Sequence, residues 1–464
     1  MALSATASCL TSLCLAASFI HTLNAQDVSS TMLAPTPPMG WNSWDSFGPS
    51  VREDEVKANT DVMAARLAKY GWQYVTVDIE WYAPDAHANG YIPRGRVVLD
   101  QYGRFQPALN RFPTAADGAG FKPLAAYVHS KGLKFGIHIM RGISREAVEK
   151  NLPIEGSKYH AADIADKVNI CHWPQMEDTY GVDMSKPGAQ DYYDSIARLY
   201  AAWGVDLVKA DDMSRPFHEP EIRALSSALR KTGRPIVLSL SPGPAPISNY
   251  LELKANAQMW RISDDFWDRW IDVKQQFERA HLWENDSHPG GWPDADMLPL
   301  GHIAIRGERG VDRNSLLTHD EQITLMTLWS IFRSPLIFGG DLSTSDAFTF
   351  SLLTNPEVLA VNQASTHGHQ AYRNDDIIAW TADEETSGGK TLAKYVAVFN
   401  TGDTTKSVHL SWKSIGIGAP AAGVRDLWAQ QEVKKESADA EALHTSLAPH
   451  ASLFYKVVTL EQSH

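Results

Sequence analysis

The sequence predicts a parallel (β/α)8 barrel, of the TIM-barrel type, followed by an antiparallel β-sandwich. Three observations predict it. At 464 residues the chain is too long for one ordinary domain and fits a barrel of roughly 250 to 350 residues with a smaller domain attached. From Pro35 to about Asn362, short apolar runs of strand type alternate with longer stretches of helical periodicity. After about Gln363 the helical stretches stop, and short strands separated by turn signals replace them.

The expected barrel strands are residues 39–41, 74–79, 134–140, 205–210, 235–240, 258–262, 294–298 and 335–339. Between them, residues 53–70 carry Val56, Val62, Met63 and Leu67 at helical spacing, and residues 190–203 and 319–332 show the same periodicity. Eight strands close a barrel, so the catalytic domain is placed at 36–362. The strand ends carry Trp44, Asp78, His138, Asp211, Asp265 and Asp296, and polar groups at the carboxyl ends of barrel strands mark the chemical face. Downstream, residues 377–380, 395–399, 407–412 and 452–458 read as strands of a sandwich spanning 363–464. The Lys-, Glu- and Asp-rich stretch 432–442 reads as a solvated loop.

The apolar run 10–20, followed by small polar residues to Ala25, reads as a signal peptide over residues 1–25, hence a secreted or periplasmic protein. Cleavage near Ala25 removes Cys9 and Cys14 and leaves Cys171 alone, so no intramolecular disulfide is expected in the mature chain. A net charge of −13 argues against nucleic acid or an anionic membrane as partner. Fifteen Trp residues suit a sugar cleft, where a flat indole face matches the C–H face of a pyranose. An oligosaccharide or polysaccharide is the expected partner.

Two carboxylate clusters stand in near-matching frames. GVDLVKADDM holds Lys209, Asp211 and Asp212, and MWRISDDFW holds Arg261, Asp264 and Asp265. Each follows an apolar strand, and a parallel barrel brings both strand ends to one mouth. Two carboxyl groups facing each other across a sugar-sized gap are the equipment of a glycosidase. Within each pair, successive residues point to opposite faces, so only one member can aim into the mouth. No tight metal-ligand spacing such as HExxH occurs, so no metal or other cofactor is expected.

PPMGWNSW, YVTVDIEW, KFGIHI, GVDLVKADD, WRISDDFW, GGWPDADML and TLMTLWSIFRSPLIFGGDL, in that order, resemble the melibiase-type α-galactosidases, glycoside hydrolase family 27. The resemblance runs from Pro37 to about Asn362, and the strand-rich tail is similar to that family's C-terminal sandwich. It implies a retaining, exo-acting hydrolysis of α-linked galactose-type residues without metal. It also implies Asp211, two residues after Lys209, as nucleophile and Asp265, four after Arg261, as acid/base. Trp260, Phe266 and Trp267 would supply apolar surroundings to the acid. Substrate contacts would come from Trp44, Asp78, His138, Lys209, Arg261 and Asp296, with Arg261 binding a sugar hydroxyl or the nucleophile, and His138 standing where the family has Tyr.

Three departures bear on the sugar. Many relatives have two adjacent Asp after the second strand, which read the axial 4-hydroxyl and the 6-hydroxyl; here the pair is Asp78-Ile79. The stretch SLSPGPAPIS lacks the family's Glu on the 2-hydroxyl side, and the Cys that usually follows the nucleophile is replaced near Met213. A β-L-arabinopyranosidase or an isomaltodextranase-like α-glucan hydrolase on the same machinery, or a non-catalytic carbohydrate-binding protein, are the alternatives.

Overall fold

Met1 and residues 32–171, 178–384, 393–418 and 420–459 are described by the computed structural model of the chain, so the expected signal peptide, apart from Met1, lies outside them. Eight parallel strands form the first sheet: β1 Met39–Asn42, β2 Tyr74–Val77, β3 Lys134–Met140, β4 Leu207–Asp211, β5 Val237–Leu240, β6 Met259–Arg261, β7 Trp292–Asp294 and β8 Leu336–Phe338. They pair in the order β7-β6-β5-β4-β3-β2-β1-β8. A parallel bridge between Leu298 and Phe338 closes the ring, with Leu298 N–H on Ile337 O at 2.8 Å and Gly339 N–H on Leu298 O at 3.0 Å. The principal helices are α1 Glu53–Arg66, α2 Lys122–Ser130, α3 Ala189–Trp203, α4 Glu219–Lys231, α5 Tyr250–Asn256, α6 Trp270–Trp283, α7 His319–Phe332 and α8 Pro356–Ala364, one after each strand.

The strands are buried on both faces, which is why they read as apolar runs rather than as alternation. Alternate residues go to different cores. Tyr74, Leu207, Val237, Met259, Trp292 and Ile337 fill the barrel interior. Val75, Val77, Phe135, Ile137, Val208, Leu238, Trp260 and Phe338 pack in the layer shared with the helices. Gly136 makes room for the interior neighbours, since a Cβ there would sit 2.5 Å from Thr76 Oγ1 and 3.3 Å from Leu207.

Two expected elements shift. The seventh strand is Trp292–Asp294, not 294–298, because Asp296 adopts φ 84° and takes the chain out of extended geometry. The first helix stops at Arg66; a 3₁₀ turn, Ala68–Tyr70, then leads to Gly71 at φ 97°. Between β3 and α3 a small sheet of Ile143–Ser144, Thr179–Val182 and Ala165–Ile170 is inserted, which the sequence did not announce.

The C-terminal part starts immediately after α8. Its strands are β9 Ser365–Asn374, β10 Ile377–Glu384, β11 Ala393–Asn400, β12 Lys406–Ser411, β13 Ala421–Asp426, β14 Gln431–Glu432, β15 Ala442–Leu447 and β16 Ser452–Thr459. Six form one sheet in the order β9-β10-β11-β16-β13-β14, and β12 pairs with β15. One face of the large sheet, with Val396, Val398 and Val457, packs with Val408, Leu410 and Leu443 of the small one. The other face, with Trp380, Phe399 and Phe454, belongs to the same apolar cluster as the barrel's helical layer. Phe277 of α6 meets Phe399 edge-on at 4.9 Å, and Trp428 Nε1 donates to Thr327 Oγ1 of α7 at 2.9 Å.

Candidate active site

Strand parity builds the site. On β4, Lys209 and Asp211 share the barrel-facing side with Leu207, whereas Val208 and Ala210 face the helices. In register across β3 and β4, His138 stands beside Lys209 and Met140 beside Asp211. Arg261 ends β6 on the same inner side. The result is a pocket open at the carboxyl ends of the strands. All eight residues expected to form the site line it: Trp44, Asp78, His138, Lys209, Asp211, Arg261, Asp265 and Asp296.

Asp211 lies deep and is held on both oxygens. Its Oδ2 takes a hydrogen bond from His138 Nε2 at 3.0 Å, and its Oδ1 accepts the Asp212 N–H at 3.0 Å. Burial acts to raise its pKa, but the His138 hydrogen bond and the charge of Lys209 outweigh it and hold the carboxyl below its ordinary value. Asp78 is anchored likewise: Lys209 Nζ donates to it at 2.9 Å, Asn42 Nδ2 at 2.6 Å and the Ile79 N–H at 2.9 Å. Against its burial, Lys209 keeps this carboxyl ionised, and Asp78 and Asp211 in turn raise the Lys209 ammonium.

The rival carboxylates leave the pocket. Asp212 has φ 59°, which turns its side chain onto buried Arg141, with Nε at 2.9 Å. Arg141 also donates to Glu221 at 2.7 Å. Asp264 pairs with Arg215 on the surface, its side chain 59% exposed. Asp265 instead stands at the mouth, 48% exposed, with Arg261 Nη2 on its Oδ1 at 3.1 Å.

Arg261 turns to Asp265 and Asp296, the latter at 2.8 Å, rather than to Asp211. Asp296 also accepts the Phe266 N–H and the Met297 N–H, each at 2.8 Å, so it braces the loops after β6 and β7. Trp260 does not border Asp265. It points outward and packs against Trp283, because parity gives the inner side to Met259 and Arg261. Phe266 and Trp267 do line the pocket.

Sequence reasoning missed three lining groups, one of them Met297, next to Asp296. Tyr91 stacks on Trp44, centroids 5.9 Å apart and planes 13° apart, from the loop after β2, which carries no periodic signal. Asp45 follows Trp44 in a one-turn helix and is almost completely buried.

Several carboxyls near the strand ends are shifted upward. Burial brings Asp212 to about 6, Asp178 to about 6, Asp296 to about 7 and Glu80 to about 8. A group with a raised folded-state pKa binds its proton more tightly folded than unfolded, so stability falls as pH rises from the unfolded value toward the folded one. The lowered Asp78 and Asp211 act oppositely, and their contribution is lost progressively as pH falls below about 4. The melting temperature should therefore be higher at about pH 5 than at about pH 8 and fall again in stronger acid. Thermal melts across this range check the sign; a melting temperature that climbs steadily from pH 5 to 8 contradicts it.

The family model described as "Alpha galactosidase A" matches residues 36–151 and 176–364, and that of the "Alpha galactosidase C-terminal beta sandwich domain" matches 374–457. The break at 152–175 falls on the inserted sheet's Ala165–Ile170 strand. Alpha-galactosidase 2 of Arabidopsis thaliana is 28% identical over 432 residues, covering 91% of this chain and 89% of its own length. Human alpha-galactosidase A is 29% identical over 393 residues, covering 79% and 75%. Among solved structures, a GH27 β-L-arabinopyranosidase from Geobacillus stearothermophilus superposes with TM-score 0.88 at 49% identity, covering 93% of this chain and 98% of its own.

Proposed function

Because the chain belongs to the melibiase-type α-galactosidases, glycoside hydrolase family 27, and is thus a retaining exo-acting glycoside hydrolase, we propose that it removes galactose-type residues with Asp211 as nucleophile and Asp265 as acid/base. The observation that carries the assignment is the contrast between the two carboxyls. Asp211 is buried and kept anionic by His138 and Lys209, as attack on an anomeric carbon requires. Asp265 sits at the mouth, where leaving group and water pass. Asp211 attacks C1 while Asp265 protonates the departing glycosidic oxygen. Asp265 then takes a proton from water as that water attacks C1 of the glycosyl-Asp211 ester, and the sugar leaves with its original anomeric configuration. Trp44, stacked on Tyr91, offers an aromatic wall, and Asp78 with Lys209 offers hydrogen-bonding groups to ring hydroxyls.

A second reading, a β-L-arabinopyranosidase, is favoured by Ile79. β-L-Arabinopyranose matches α-D-galactopyranose around the ring but lacks the hydroxymethyl group, and buried, apolar Ile79 lines the pocket where many relatives present a second Asp. The 49% identical Geobacillus structure supports the same reading.

One assay tests both. kcat/KM is measured on p-nitrophenyl α-galactoside, β-L-arabinopyranoside, α-glucoside and α-N-acetylgalactosaminide, and the first-formed anomer from the galactoside is read by NMR. The α-anomer is expected, with galactoside and arabinopyranoside within the ~10 to 200-fold that an apolar wall can discriminate. Release of the β-anomer overturns retention. A glucoside preference moves the protein to the α-glucan reading.

The apolar run 10–20 supports export of this enzyme by a cleaved signal peptide. Among the described residues no helix is long and apolar enough to cross a membrane.

A further inference from the structure

Asp45 has no part in the chemistry above, yet its position is unusual for a carboxylic acid. It is 1% exposed and lines the pocket on the wall between the ends of β8 and β1. Its Oδ2 lies against Gly339, where a Cβ would come within 1.9 Å of it. No hydrogen bond to this buried oxygen is made by any described residue. Its main chain is firmly held: Asp45 O accepts the Ala304 N–H at 2.7 Å, and the Trp44 N–H rests on Asn42 Oδ1 at 2.9 Å. Every other carboxyl of the pocket is engaged by protein donors: Asp78 and Asp211 as described, Asp296 by Arg261 and two backbone N–H groups, Asp265 by Arg261. A buried polar group left without a partner is disfavoured, and a partner supplied by a bound ligand relieves that.

We propose that Asp45 is a specificity-determining residue whose carboxyl hydrogen-bonds one hydroxyl of the bound glycone on the wall between Asp78 and Asp296. The inference rests on the glycosidase reading and names a contact within it. Burial, then the nearby negative charge of Asp296, push the Asp45 carboxyl well above the ordinary range, while Lys209 pulls the other way. A carboxyl whose anion is disfavoured in this way can accept a hydrogen bond from a sugar hydroxyl and, when protonated, donate one. It supplies polar recognition in a pocket whose Ile79 side cannot.

The test is a deoxy scan on the whole enzyme. kcat and KM are measured for wild type, Asp45→Ala and Asp45→Asn on p-nitrophenyl α-galactoside, its 2-, 3-, 4- and 6-deoxy analogues, and the β-L-arabinopyranoside. Asp45→Ala should lower kcat/KM by ~10² or more on substrates that keep the contacted hydroxyl and by less than ~3-fold on the analogue lacking it. Asp45→Asn, uncharged and of the same shape, should stay within ~10-fold of wild type on all of them. An equal loss on every substrate, or a loss in Asn as deep as in Ala, makes Asp45 a packing residue and overturns the proposal. If Asp45→Ala does not fold, Asp45→Ser, small and still polar but too short to reach the sugar, takes its place under the same criterion: a loss that vanishes on one deoxy analogue supports the contact, and an equal loss on every substrate refutes it. Wild type that cleaves none of these glycosides refutes the galactose-type reading instead.

Discussion

Asp211→Asn should yield a folded protein that releases no measurable p-nitrophenol from an α-galactoside. The substitution keeps the shape, and the amide oxygen can still accept the Asp212 N–H that now reaches Oδ1 at 3.0 Å. The negative charge is lost, and with it the ester-forming attack. When a nucleophile is removed from a unit whose members act together, losses of ~10⁶-fold in kcat are the measured scale. The melting temperature should move by no more than ~2 °C, about the effect of 1 kcal/mol on a chain of this size. Asp212→Asn is the matched comparison. Asp212 touches Arg141, outside the pocket, so its loss should fall mainly on stability. An inactive Asp212→Asn beside an active Asp211→Asn would falsify the assignment by one residue.

The second large effect belongs to Asp265→Ala. General acid/base catalysis contributes ~10² to 10⁴-fold, and the loss should approach the upper end on an oligosaccharide, whose leaving group needs its proton. On an activated aryl glycoside the first step needs little protonation, so glycosyl-enzyme forms and then waits for a base to deprotonate water. Azide needs no such base. Added azide should restore turnover and give the α-glycosyl azide, with net retention. Equal losses on both leaving groups, with no response to azide, reduce Asp265 to a partner of Arg261.

The strand ends, and so most of the site, were legible because a parallel barrel imposes a two-residue parity on apolar runs. Lys209 and Asp211 fall on one face by that rule alone. The choice within each Asp pair was not legible from spacing. It depends on the left-handed turn at Asp212 and on Arg215 reaching across to Asp264, both set by tertiary packing. Trp260 was misplaced because apolar neighbours in sequence are not neighbours in space when a strand alternates. Tyr91 comes from a long connection without periodicity, and a buried acid such as Asp45 looks like a surface acid until its surroundings are known. In the sandwich, β9 escaped notice because STHGHQAYRN is polar and only half-buried. β10 and β11 stood out because both their faces are covered.

That double covering makes the junction after α8 a boundary of topology but not of cooperativity. Trp380, Phe399 and Phe454 count toward the barrel's apolar layer as much as toward the sandwich's own sheet. A chain ending at Asn362 would keep every residue of the pocket yet bare the outer surfaces of α6 and α7 to water, an adhesive patch of the kind that drives aggregation. The appendage therefore keeps that face of the barrel out of water, and exchange of one half without the other would require this seam to be rebuilt from both sides.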